Sequence, residues 1–517
     1  VGCVGHRHGP HIFCLLAMKY FSICLFLLLL QASSLFAQNR HDNNWVFGRL
    51  GNGIFLNFDN DSLHVGYVPE ADMRTGTAHI SMSDAEGNLL FYSNNCSISD
   101  AQHQIMENGE GLNPGVIQTY WCSVNPYANP YNQSIISLPY PGQEGKYMIF
   151  HVDSEIFNFG GPGGAYVTPK HVLLTIVDMN KNNGLGEVVD KNVQILQDTL
   201  AGTKLIAVKH ANGRDWWLLT PEYRSNCYYK ILVSKGGISI SDKQCIGYVW
   251  NKYDEAGGSL FTSSGDKFIR SNDMNGLNIF DFDRCTGDLS NPIHISLAPD
   301  TNALTGLSIS KSGRFVYFNT LKKIYQFDLQ AQDIAASKVL VATYDGFKSA
   351  GNSTDFYYSK LAPDGKIYFC TFGPTYYLHT INQPDSVGLA CQVLQHNVIL
   401  PITHYATMPN SPNYQLGALP GPCDTISVST NDLKDVKNPI EIFPNPTSGD
   451  IQIRNESGVE LRQIQVFNLT GKLIFSLQCN SPNVSIIKSN HHLEKGFYLI
   501  KISDKYGHPQ MGKIIIE

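Results

Sequence analysis

One short pattern recurs along most of this chain and constrains its fold more than any other feature. A turn residue and a glycine are followed by a brief run of aromatic and aliphatic residues. Clear copies are Ser312-Gly313-Arg314-Phe315-Val316-Tyr317-Phe318, Ser264-Gly265-Asp266-Lys267-Phe268-Ile269 and Asp364-Gly365-Lys366-Ile367-Tyr368-Phe369. Others begin at Asp84-Ala85-Glu86-Gly87 and Gly145-Lys146, and a looser one at Asn212-Gly213. Glycine supplies the positive φ of a tight hairpin turn, and the residues after it suit a pleated strand. The glycines at 87, 145, 213, 265, 313 and 365 are spaced by 58, 68, 52, 48 and 52 residues. A period near 50 indicates blades or solenoid turns.

Each copy is followed about a dozen residues later by a second strand, such as Ile324 to Leu329, and then by a turn and a more polar strand. Four short strands per repeat make one blade of a β-propeller, an arrangement that protects sheet edges by radial packing. Six copies plus the early strand Trp45-Val46-Phe47 predict six or seven blades, with seven favoured and the last closed by pairing N- and C-terminal strands. In Phe315 to Phe318 both strand faces are apolar, as in a sheet covered on each side. Two packed β-sandwiches are the alternative architecture.

Hydrophobic residues form 43% of the 517 and charged residues 16%, which excludes a disordered or coiled-coil chain. A net charge of −6 gives no broad footprint for nucleic acid. Near the start, Met18-Lys19, an apolar stretch from Phe21 to Leu30 and a small residue at Ala37 make up a secretory signal peptide over 18–37, cleaved after Ala37. The apolar stretch is far short of the roughly 20 residues needed to span a bilayer. Residues 1–17 read as a non-native upstream extension. Nine cysteines follow the leader, an odd number, so at least one has no intramolecular partner. Cys227 and Cys245 are the favoured disulfide, because 17 intervening residues suit two neighbouring strands.

Chemistry is sparsely signalled. No Gly-x-Ser-x-Gly, His-Glu-x-x-His, Walker-type loop or dinucleotide fingerprint stands at a strand-to-helix junction. His151, His210, His396 and His404 lack ligand spacing, and the carboxylates of Asp281 to Asp288 read as a hairpin turn rather than a calcium loop. No metal or cofactor is expected. Asp153 with Glu155 and Asp254 with Glu255 are the candidate acid/base carboxylates, since glycoside hydrolysis needs such a pair. Trp121, Tyr223, Trp250, Tyr253, Tyr357 and Tyr376, near loops rich in Asn, Pro and Gly, are candidates for stacking on sugar rings or anchoring a protein. The missing motifs favour a non-catalytic module for glycan or protein; the alternative is a propeller hydrolase acting on polysaccharide through the loop carboxylates.

Asn44-Trp45-Val46-Phe47-Gly48, the Ser83 to Tyr92 segment and the closing Pro409-Asn410-Ser411-Pro412-Asn413-Tyr414-Gln415-Leu416-Gly417 resemble a family of secreted propeller-like proteins of the Bacteroidota. That resemblance covers residues 39–424 and implies a fold and an exported setting, without a reaction. Its members often carry adhesion-type modules.

A polar stretch over 425–438 reads as a linker, followed by a small Ig-like β-sandwich over 439–517. Within it, Pro444-Asn445-Pro446 with Gly449, then Gly471-Lys472, Gly496 with Tyr498, and the final strand from Lys513 stand in order up to Glu517. This set resembles the type A sorting domain of type IX secretion. The departure is Glu517, where that family often ends in a basic or amide residue. The resemblance implies a folded address recognised by the secretion translocon and removed by a sortase-like peptidase. The mature protein would then be attached to anionic lipopolysaccharide or released.

Overall fold

The computed structural model describes residues 39–423 and 440–517, apart from 50–51, 60–61, 70–75, 124–128, 130, 158–165, 242, 251–253, 255–256, 273, 298–303, 422, 456–457, 469–472, 488–492 and 506–508. The expected leader, upstream extension and linker therefore lie outside the described residues. The chain divides after Cys423 into two compact units.

The first unit is a ring of antiparallel sheets. Six of them carry the repeat: Ile80–Asp100 in three strands, then Ile135–Gln197, Ile206–Ile240, Gly258–Ile295, Thr305–Thr343 and Ser359–His404, each built on four antiparallel strands, with a separate two-stranded sheet, Glu155–Phe157 and Tyr166–Thr168, inserted in the second. These are the first to sixth blades. A seventh sheet, Asn44–Arg49, Asn52–Asp59 and Ser62–Pro69, lies between the sixth blade and the first. The period of the motif has a simple cause. Gly87, Gly145, Gly213, Gly265, Gly313 and Gly365 all have φ between +72° and +95°, and each turns the chain from the innermost strand of its blade to the second. That conformation is strained for any residue with a Cβ.

Blade faces are apolar on both sides because each packs against a neighbour. Every residue from Phe315 to Thr320 is buried, and Trp216, Leu218, Phe268 and Phe280 belong to one core shared by the first four blades. Each large apolar side chain so buried contributes about 1.5–3 kcal/mol.

Closure differs from the expectation. The seventh sheet contains only N-terminal strands among the described residues, so no strand pairing of the two chain ends closes the ring. Side chains do this instead: Trp45, Phe47 and Phe58 pack against Tyr357, Tyr368, Leu378 and Leu400 of the sixth blade. The segment after His404 is then free for another task. It leaves the sixth blade as an irregular strap and runs among the innermost strands. The Asn410 side-chain amide donates to the carbonyls of Ile135 and Leu205 at 2.9 Å, and Asn413 to that of Ser263 at 2.9 Å. The Tyr414 hydroxyl donates to Ser137 O at 2.8 Å, and Arg284 donates to Gly417 O at 2.6 Å. The strap ends in a disulfide from Cys423 to Cys285. Cys227–Cys245 is present as expected, together with Cys96–Cys122. Cys370, Cys391 and Cys479 are free thiols.

The second unit has two sheets, Ile440–Phe443, Ile451–Asn455 and Asn483–Ile486 in one, and Leu461–Asn468, Leu473–Ser481, Gly496–Asp504 and Pro509–Ile516 in the other. Ile451, Ile453, Ile464, Val466, Ile500 and Ile514 from both sheets form its core, which makes it a β-sandwich.

Candidate functional site

The strap fills only part of the propeller axis. Beside it is a cavity of about 350 Å³, walled by the inner strands of the third to sixth blades, by Met408 to Asn413 of the strap and by Asp42 from the N-terminal segment. That volume is at the small end of the roughly 300–1,000 Å³ range typical of small-molecule pockets. Leu260, Phe261, Leu307, Ile309, Tyr358 and Met408 give it apolar surface.

Several buried polar atoms lie close behind its wall. Asp42 Oδ1, Asn132 Oδ1 and the hydroxyls of Ser308, Ser359 and Ser411 are all out of contact with solvent and have no hydrogen-bond partner among the described residues. Native interiors pair nearly all such atoms. They belong to residues of the lining, but with almost no accessible surface these atoms do not themselves face the cavity. Lys360 also lines it and donates from Nζ to Ser411 O at 3.1 Å. Burial pushes the Asp42 carboxyl up and the Lys360 ammonium down to about 8; each partly offsets the shift of the other by attraction.

The residues singled out from sequence lie elsewhere. None of those described lines the cavity. Asp153 accepts from His171 Nδ1 at 2.7 Å and from the His171 backbone N–H at 2.8 Å, which fixes a blade turn. Glu155 is exposed. Asp254 is fully buried, bonded to Arg270, 3.7 Å from the Lys204 ammonium and capping the Arg224 N–H. These neighbours engage its carboxylate and leave it no open side for a substrate. Glu255 and Tyr253 lie outside the described residues.

Among the aromatics, Trp250 is fully buried, with the Arg270 guanidinium 4.0 Å from its ring centre, and Tyr357 is core, packed on Tyr358 and Phe372. Neither has a face to offer a ligand; position beside Pro, Asn and Gly did not mean exposure, because blade interfaces bury loop aromatics as well. Trp121 and Tyr223 are half-buried, against Tyr120 and under Arg224 respectively. Tyr376 is exposed. The carboxylates of the Asp281 to Asp288 turn are engaged: Asp281 pairs with Lys267, Asp288 with Lys230, and Asp283 caps Cys285.

In the second unit the Pro-Asn-Pro loop is stitched to the last strand. Asn445 donates to Lys513 O at 2.6 Å and accepts from the Ile515 N–H at 2.9 Å; the Thr447 and Glu517 N–H groups extend the pairing. Tyr498 donates to Glu494 O at 2.9 Å, Lys513 lies 4.7 Å over the Phe497 ring, and the Gly449 N–H bonds the Thr447 hydroxyl. Gly496 has a φ of +155° at the head of its strand. Gly471 and Lys472 lie outside the described residues.

A search of curated proteins finds no match. Among solved structures, a functionally unknown protein of Desulfotomaculum acetoxidans is 11% identical over 72% of this chain and 99% of its own, with a TM-score of 0.41. A β-propeller domain from Myceliophteria thermophila is 12% identical over 64% and 91%, at 0.34. PorZ of Porphyromonas gingivalis, a surface component of its type IX secretion system, is 11% identical over 92% and 69%, at 0.28. The fold rests on the sheets themselves and not on these likenesses. No helix among the described residues is long and apolar enough to cross a membrane. Residues 441–517 match the secretion system C-terminal sorting domain family. The chain is therefore a β-propeller followed by a type IX secretion sorting domain, an address that sends it to the cell surface.

Proposed function

We propose that the exported propeller is a non-catalytic binding module whose ligand, a glycan or part of one, enters the axial cavity. The observation that supports this reading is the cavity itself, about 350 Å³ beside the strap, lined by apolar side chains together with the polar side chains of Lys360, Asn410 and Asn413. Hydroxyl groups of a saccharide would bond polar side chains of this kind, and the apolar wall suits the C–H face of a sugar ring. Hydrolysis of glycosides needs two carboxylates, whereas Asp42 is the one acidic residue in the described lining. On this reading the sorting domain engages the secretion translocon, a sortase-like peptidase removes it, and anionic lipopolysaccharide retains the mature propeller as a surface adhesin.

Two measurements test it. The chain from Asn39 is titrated with mono- and disaccharides while new reducing ends are recorded; binding without product is expected, and product formation would overturn the non-catalytic assignment. Removing residues 438–517 should hold the propeller in the periplasm. Its appearance outside the cell at the normal level would refute the role of the address.

A further inference from the structure

The larger sheet of the sorting domain turns one face inward, where Ile464, Val466, Ile500 and Ile514 join the core. Its outer face changes character along its length. The strand register sets neighbouring side chains in rows. Gln478, Gln463 and Ser503 stand side by side, and next to them Ser476, Gln465 and Lys501. The Gln463 side chain donates to the Ser476 hydroxyl at 3.2 Å, which ties the two rows together. This is the polar surface expected where one face of an antiparallel sheet meets water. The following row is Leu473, Phe467, Leu499 and Lys513, and beyond it Phe497 stands beside Ile515. Phe497 is 48% exposed, Leu473 44% and Leu499 39%. At a bulge beside Phe467, Ile474 is exposed as well.

The same strands thus carry a polar half and an apolar half on one face. A cluster of large apolar side chains in water, rimmed by polar ones, marks an interaction surface. This one lies at the end of the sandwich where the chain stops. The Pro-Asn-Pro loop is bonded there to Lys513 and Ile515, and Gly496 opens the strand that carries Phe497 and Leu499. Lys513, 4.7 Å over the Phe497 ring, puts a positive charge at its margin.

We propose that this apolar half-face is the surface by which the secretion apparatus holds the sorting domain, with Phe497 and Leu499 as anchors seated against an apolar surface of the receiving component. This rests on residues 441–517 acting as the address. It adds the face that is read and the chemistry of what reads it. The apparatus is assigned as the occupant, ahead of a second copy, for two reasons. The domain matches a family defined by secretion, and the patch is built on the strands that hold Gly496, Tyr498 and Lys513, members of the ordered set that marks that address.

The test is fractionation of secreting cells that make the full chain. Phe497→Thr/Leu499→Thr keeps strand-forming residues and removes the apolar surface. Its surface fraction should fall about tenfold, while Gln465→Ala/Gln478→Ala, in the polar half of the same face, should stay within about twofold of the unmodified chain. Amide hydrogen exchange over residues 440–517 of the purified chain from Asn39 reports whether the sandwich is intact. If the double variant loosens it, Leu473→Thr on the edge strand takes its place, with the same direction expected. An intact variant at normal surface level, in cells that retain the chain lacking 438–517, would overturn the proposal and leave the address standing. Export of that truncated chain would remove the address and the proposal together. Sedimentation of the purified chain from Asn39 should show a monomer. A dimer that Phe497→Thr/Leu499→Thr dissociates would give the face to a second copy and overturn the proposal.

Discussion

Cutting the disulfide that ends the strap should be the most damaging cysteine change in the propeller. Cys285 and Cys423 are 138 residues apart and enclose the fifth and sixth blades and the strap. Cys227 and Cys245 are 18 apart and join two neighbouring strands. In the chain-entropy account a cross-link acts by restricting the unfolded chain, with a term that grows as the logarithm of the loop. The long loop then corresponds to about 5 kcal/mol and the short one to about 3 kcal/mol. The paired substitution Cys285→Ala/Cys423→Ala should thus cost about 2 kcal/mol more than Cys227→Ala/Cys245→Ala. Urea unfolding of the chain from Asn39, followed by tryptophan fluorescence, measures this cleanly. All five tryptophans lie between Trp45 and Trp250, so the signal comes from the propeller and ignores the sorting domain. If removing the long-range bridge costs no more than removing the short one, the entropic argument is wrong, and side-chain hydrogen bonds alone hold the strap in the axis.

Acid should weaken the propeller. Burial holds His404 down to about 4 and His79 well below the ordinary imidazole value. The unfolded chain, with histidines near 6.5, takes up protons that the folded one refuses. Stability is therefore full above about pH 6.5 and declines toward about pH 4, by on the order of 1 kcal/mol per pH unit for each histidine; urea curves at about pH 7 and about pH 5 should show it, with a shallower slope in His404→Gln. Gly213→Ala should destabilise by at least about 2 kcal/mol, and Gly351→Ala by about 1 kcal/mol. Both have positive φ, but a Cβ at Gly213 would lie 2.7 Å from the Ala418 backbone nitrogen of the strap, while one at Gly351 meets nothing within 4 Å; thermal melts of the two variants make the comparison. Asn445→Ala removes two hydrogen bonds to the terminal strand and should cost the sorting domain about 1–2 kcal/mol, with a lower surface fraction in a cell-fractionation assay.

The blades were legible because their signal is local: a glycine that must have positive φ and the strand behind it stand next to each other in sequence. The seventh sheet was visible only as the strand around Trp45, although Gly51-Asn52-Gly53 followed by Ile54-Phe55-Leu56 is a further copy of the same pattern. The cavity was not legible, because Asp42, Asn132, Ser308, Ser359, Lys360 and Ser411 come from five separate stretches of chain and only the closed ring brings them together. The sequence offered one trace of it: Lys360 follows Tyr357-Tyr358-Ser359 at the start of an inner strand, where a charge needs a reason. Asp254 misled for the opposite cause. Its carboxylate stands near a loop, but the cations that engage it, Lys204 and Arg270, come from other parts of the chain. Pro409 to Gly417 was recognisable as a family ending, and only the fold shows that it occupies the axis.

Threading the axis with the last part of the propeller has a kinetic consequence. Asn39 bonds to Tyr414 across 375 residues, His79 to Thr407 across 328 and Asn410 to Ile135 across 275. None of these contacts can form until nearly the whole propeller has been synthesised, so the Trp45 sheet waits, without its sixth-blade partner, for most of the chain. Contacts of such long range make folding slow. If they form only after the folding barrier is crossed, they slow unfolding by their full strength. For a protein that works outside the cell, where nothing refolds it, the rate of opening sets its lifetime more than the equilibrium does.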